Sequence, residues 1–189
     1  MNMRVGRPPL GSLGHVERGS APGGAQSNPV RGALDGYADD PPPFGGYALM
    51  TAVFGTAFGG ALVAARASGR ELPERVSTQD VLLVGVASHK LSRLISKDRI
   101  TSFVRAPFTE FEERAGHGEV DEKPRGRGLR RSFGELLTCP YCLAQWVTAG
   151  FAVGLVYAPR ATRLVATVYT AEAISDFLQL AYKAGEERV

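Results

Sequence analysis

The sequence has only two cysteines and three histidines in 189 residues. Cys139 and Cys142 stand three apart, so the disulfide framework of a small secreted protein is excluded. There is no P-loop, nucleophile elbow, H-E-x-x-H pair or dinucleotide fingerprint. Arg4 and Arg7 resemble the basic start of a signal peptide, but Pro8, Pro9 and several glycines follow where an apolar core is needed. That argues against a secretory signal in the usual place. Residues 1–43 also lack any periodic apolar pattern. A Gly- and Pro-rich segment of this kind cannot bury enough surface to offset its ordering entropy, and a disordered tail is expected.

What is present lies in blocks. The hydrophobic fraction is 44% and mean hydropathy is −0.08, ordinary values for a soluble protein. The average conceals a segregation of apolar runs from charge. Residues 44–65 form twenty-two consecutive uncharged positions. At about 1.5 Å per residue such a helix crosses a hydrocarbon core of roughly 30 Å. Thr51, Gly55 and Gly59, with Gly60 beside them, leave one face almost bare, which suits close approach of another helix or a second copy of the chain. A second apolar span is expected over 139–158, with Trp146 and Tyr157 toward its ends.

Two further helices carry charge. One is expected over 78–96, capped by Ser77 or Thr78, with Lys90, Arg93 and Lys97 on one face. The other is expected over 162–182, where Glu172 and Asp176 stand one turn apart. Buried acids in a bilayer need partners, and the reading is an intramembrane charge cluster joining Lys90 or Arg93 to Glu172 or Asp176. Between the helices, residues 97–138 read as a charged loop: an extended piece broken at Pro107, a short helix over the first acids, then a flexible Gly/Arg-rich stretch. A capping box from Ser132 to Glu135 starts another short helix.

The fold class expected is therefore all-α, an integral membrane bundle of three to four helices spanning 44–183, with tails at 1–43 and 184–189. Basic residues between Lys97 and Arg131, with Lys183 and Arg188, lead to the expectation that the central loop and the C-terminus face the cytoplasm. The expected partners are the lipid bilayer and an unidentified protein. Acids at Glu119, Asp121 and Glu122 offset the arginines around Arg125, and nucleic acid is not expected.

Cys139-Pro140-Tyr141-Cys142 matches the active-site tetrapeptide of glutaredoxins over four residues. A thiolate in the first turn of a helix is stabilised by unpaired N–H groups. The pair could be a structural turn, a redox couple with Cys139 as nucleophile, or half a zinc site. No cofactor is expected.

Three stretches, SHKLSRLISKD at 88–98, ITSFVRAPF at 100–108 and GELLTCPYCLAQW at 134–146, together resemble the bacterial membrane-protein family known as domain of unknown function 1360, which includes a sporulation-associated member. Arg93, Asp98, Arg105, Pro107, Glu135, Cys139, Pro140, Cys142 and Trp146 carry the resemblance. It implies a small multi-pass membrane protein with no assigned reaction. The leading functional expectation is a non-enzymatic scaffold or interaction protein. The alternatives are thiol–disulfide or zinc chemistry at Cys139 and Cys142, and an ion or proton conduit through Glu172 and Asp176.

Overall fold

The computed structural model describes residues 36–38 and 41–188. The chain divides into two units, Met1–Asp40 and Pro41–Val189, and the account below concerns the second. The tail expected over 1–43 lies almost wholly outside the described residues.

Six α-helices and one two-stranded sheet make up the described residues. Helix α1 (Phe44–Ala67) ends in a Schellman turn. The N–H groups of Gly69 and Arg70 reach the Arg66 and Ala65 carbonyls, and Gly69 takes φ +75°, a conformation a side chain would strain. Helix α2 (Thr78–Ser96) opens on Ser77, whose hydroxyl accepts the Asp80 N–H at 3.0 Å. Helix α5 (Pro140–Tyr157) and helix α6 (Pro159–Glu186) form a tight hairpin through Ala158. Pro159 occupies the first turn of α6, where its missing N–H costs nothing.

Helix α2 is the central element, packed on both α5 and α6. The core where they meet is Val84, Ala87, Phe151 and Ala166. Ser88, Ser92 and Ser96 recur every fourth residue on α2 and all are buried. Ser92 and Ser96 return their hydroxyls to the carbonyls of His89 and Arg93, while the buried Ser88 hydroxyl has no hydrogen-bond partner among the described residues.

Helix α1 joins the others at its ends and middle. Phe54 meets Trp146 edge-on at 5.1 Å, and the Tyr157 hydroxyl donates to the Ala61 carbonyl. Gly55, Gly59 and Gly60 have open space where a Cβ would stand, so the glycine face of α1 packs on nothing among the described residues.

The region expected to be a loop is folded. A turn over Arg99–Thr101 leads into α3 (Ser102–Arg105), then β1 (Thr109–Arg114) and β2 (Val120–Pro124), which pair antiparallel with a bulge between Phe111 and Glu113. The expected helix over the first acids is thus strand β1. Local helix propensity loses to strand pairing, anchored where the Val120 N–H bonds the Lys97 carbonyl. The stretch expected to be flexible supplies β2 and the start of α4 (Leu129–Thr138).

Helix α4 begins three residues ahead of the expected cap. Gly128, at φ +55°, turns the chain into the helix, and Ser132, fully buried inside it, donates to the Gly128 carbonyl. Gly46 of α1 accepts this serine: any Cβ there would strike its hydroxyl.

Among the described residues, α1 is long and apolar enough to cross a membrane, with mean hydropathy 1.8 and only 6% of its span buried. A second candidate exists only if α4 and α5 are taken together, and they are bent by 84° at Cys139. The other long helices fall short of that composition because α2 and α6 carry the charges described above. A bundle of three or four spans therefore does not follow from length and composition.

Gly134 gives a direct test of how α4 sits on the hairpin. A Cβ there would lie 2.6 Å from the Phe108 carbonyl oxygen and 3.0 Å from Pro124 Cβ, neither of which is a flexible side-chain end. Gly134→Ala should destabilise by about 1–3 kcal/mol through overpacking, outweighing a helix-propensity gain of up to about 1 kcal/mol. Gly55→Ala should keep the gain and stabilise, so thermal unfolding in detergent should move in opposite directions for the two.

Candidate functional site

Three basic residues descend one side of α2, and each turns to a different partner. Lys90 Nζ lies 2.7 Å from Asp176 and 3.4 Å from Glu172, both on α6. The ammonium is buried while the two carboxylates are about half exposed. Arg93 does not reach these acids; its Nε and Nη2 both bond Glu119, just before β2, at 3.2 and 2.5 Å. Lys97 pairs with Asp121 at 2.9 Å. Of the four residues expected to cluster, the structure brings together Lys90, Glu172 and Asp176 and assigns Arg93 to the hairpin. The acids that seemed to offset nearby arginines are the hairpin's attachment to α2.

Arg105 is the most enclosed charge among the described residues, fully buried with Glu122 nearly so. Its Nε donates to Glu122 at 2.8 Å and its Nη2 to the other oxygen at 3.3 Å, a forked pair. Its remaining bonds reach the Ile95 carbonyl at 2.5 Å, Thr101 at 2.9 Å and the Asp98 carbonyl at 3.0 Å. Thr101 in turn donates to the Leu94 carbonyl. The final carbonyls of α2, which have no partners inside the helix, are thus met by side chains, and a cation sits at the negative end of the helix dipole.

Asp98 contributes its backbone to this joint, and its carboxyl lines a cavity of about 510 Å³ beside Lys90, Arg93, Glu119, Asp176 and Lys183. Burial raises its pKa above the usual carboxylate value, Lys90 opposes that, and the neighbouring Glu119, Asp176 and Glu172 carboxylates add to it. The other motif positions also support the fold. The Pro107 carbonyl accepts from Arg125 and Arg130. Glu135 accepts from the Tyr47 hydroxyl and from Arg131, tying α4 to α1.

At the bend between α4 and α5, the Cys139 sulfur accepts the Cys142 N–H at 3.2 Å. Both thiols are free, Cys142 being the exposed one. Pro140 occupies the first turn of α5. Among the described residues no three His, Cys, Asp or Glu side chains converge as a metal-binding group. The pair therefore gains no further protein ligands within this part of the chain.

The match to known proteins falls on this same joint. The family model described as "Protein of unknown function (DUF1360)" matches residues 83–182, from the middle of α2 through most of α6. The chain belongs to this family. It is similar to UPF0713 protein YngL of Bacillus subtilis (strain 168), 32% identical over 88 residues, or 46% of this chain and 65% of that protein. It is also similar to Sporulation protein YjcA of the same strain, 34% identical over 76 residues, or 39% of this chain and 64% of that protein. The chain thus spans just under two thirds of the length of each relative. No solved structure matches it.

In this DUF1360 protein, sequence reasoning missed Glu119, Asp121 and Glu122 as anchoring acids and Tyr47 as the partner of Glu135. The four-residue spacing of the α2 serines was the available signal for its buried face.

Two predictions test the joint. Arg105→Ala leaves the Glu122 carboxylate buried without its cation, and the expected loss is about 3–5 kcal/mol. Adding Glu122→Gln should recover part of it in denaturant unfolding, whereas an unchanged or larger loss would refute the assigned role. Asp98, with its raised pKa, contributes stability that is full below its unfolded pKa and is lost as pH rises through the folded one. Asp98→Asn should therefore be more stable than the wild type above the carboxylate range, the difference closing as pH falls.

Proposed function

We propose that the chain is an integral protein of the bacterial cytoplasmic membrane, its four long helices forming the embedded bundle and residues 97–138 a folded, charged module on the cytoplasmic face. In this reading it acts as a non-enzymatic scaffold or interaction platform. The supporting observation is the distribution of apolar surface. Among the described residues eight apolar side chains are buried and twenty-two large ones are exposed, a ratio at odds with a protein surrounded by water. The exposed set includes Val63 of α1 and Leu164, Phe177 and Leu178 of α6, each more than 60% exposed.

The helix directions support four crossings. The start of α1 meets α4, and its end meets Tyr157 at the end of α5. Asp80 near the start of α2 pairs with Arg163 near the start of α6, while Lys90 pairs farther along with Asp176. The module, the start of α1 and the end of α6 therefore share one end of the bundle. That end holds Lys97, Arg99, Arg114, Lys123, Arg125, Arg127, Arg130, Arg131 and Lys183; the other holds Arg66, Arg70, Arg75, Arg160 and Arg163. The richer end is the cytoplasmic one by the positive-inside rule. Similarity to Bacillus proteins, one of them named for sporulation, supports a bacterial setting.

A second reading rests on the Cys139–Cys142 contact, which sets two free thiols side by side at the start of α5. A pair that resists alkylation and oxidation in native membranes would eliminate redox exchange.

The principal test is extraction with alkaline carbonate followed by labelling with a membrane-impermeant maleimide. The chain should stay in the pellet, and Cys142 should react in inverted vesicles and not in intact cells. Release into the supernatant would remove the membrane reading. Labelling only from outside would reverse the orientation.

A further inference from the structure

Residues 99–105 cap the end of α2. The free carbonyls of Leu94 and Ile95, in its last turn, accept from Thr101 and Arg105, so this segment is held against that end. With Thr101 and Arg105 facing α2, helical spacing turns Ile100, Phe103 and Val104 outward, at 78%, 75% and 43% exposure. The apolar surface continues sideways. Helix α3 touches α4, the Phe108 and Phe133 rings meet at 5.8 Å, and α4 exposes Leu129 and Phe133.

The bend of 84° between α4 and α5 fixes how this surface is presented. If α5 runs along the bilayer normal, α4 lies close to the membrane plane. Tyr141, in the first turn of α5, is exposed at the same corner. Arg99 adjoins Ile100, and Arg127 lies two residues before the start of α4. An amphipathic element lying flat, with basic and aromatic side chains at its edge, is the form that settles at the boundary between headgroups and acyl chains.

We infer that Ile100, Phe103 and Val104, together with the exposed side of α4, form an interfacial foot that rests on the inner leaflet, with Arg99 and Arg127 meeting lipid phosphates. The inference rests on the membrane reading above. Lipid is favoured over a protein partner because the strip adjoins the end of α2 and, through α4, is continuous with the corner from which α5 descends. Arginine beside it matches anionic headgroups in charge.

Tryptophan fluorescence tests the foot in the full chain. With Trp146→Phe removing the native tryptophan, Phe103→Trp and Val53→Trp are each reconstituted in vesicles of phosphatidylcholine and phosphatidylglycerol carrying bromine near the headgroup or deep in the acyl chain. Emission from position 103 should be at least halved by shallow bromine and less affected by deep bromine. Position 53, in the middle of α1, should respond more to deep bromine. Ile100→Trp supplies an independent reading if the variant at 103 does not fold. If positions 100 and 103 ignore bromine and are quenched by aqueous acrylamide while position 53 responds to bromine, the strip faces water, as a protein-docking surface would, and the foot is overturned. If position 53 also ignores bromine, the membrane reading falls and the foot with it.

Discussion

The joint between the bundle and its charged module depends on one buried guanidinium. Arg105 is fully enclosed, and its five hydrogen bonds reach the Ile95 carbonyl in the last turn of α2, the Asp98 carbonyl just after it, the Thr101 hydroxyl and both oxygens of the Glu122 carboxylate. A buried ion pair is not by itself a source of stability, since removing two charges from water is costly. This one combines neutralisation with capping. It answers the open end of a helix, the charge of a strand and the turn between them with a single planar side chain. Lysine could not do this, having neither the fork nor the number of donors.

From that joint the charges along α2 divide the labour. Lys97 and Arg93 hold the hairpin, and one helical turn deeper Lys90 holds α6. The helix is thus a shared strut whose small residues face the bundle and whose basic residues distribute attachments. A displacement of α6 against α2 would alter the partners of Lys90 directly, while the hairpin has its own independent contacts. Asp98 lies between these two sets, in the cavity they enclose, and its ionisation is opposed by burial and by three neighbouring carboxylates.

Much of the helical skeleton is legible in the sequence because it depends on local signals. The uncharged run of α1, the Ser77 cap of α2 and Pro140 at the start of α5 each act within a few residues, and helices lie where these signals place them. The central region was not legible, because its structure is set by partners distant in sequence. TEFEER has no strong strand signature; it pairs with β2 because the Lys97 backbone and the Arg105 side chain hold the hairpin against α2. The start of α4 depends on Gly128 and on the space Gly46 leaves for Ser132 across the structure. For the same reason charge complementarity along the chain suggested the correct residue types at the site without fixing the partners: Lys90 lies by Glu172 and Asp176, while Arg93 turns away to Glu119.

The motif positions themselves bear on what the fold is for. Arg105 binds backbone carbonyls and a buried carboxylate, the Pro107 carbonyl accepts from Arg125 and Arg130, Glu135 accepts from Tyr47 and Arg131, Trp146 meets the Phe54 ring, and Cys139 closes a helix start. What they specify is a rigid corner, with α4 held across the end of the bundle and the hairpin fastened to α2. A corner of that kind orients surfaces. The groups it leaves exposed include the apolar side chains of α3 and α4, among them Phe103, Leu129 and Phe133. Specificity within the family would then reside in the surface residues the corner presents, and the motif would identify the architecture without identifying a reaction.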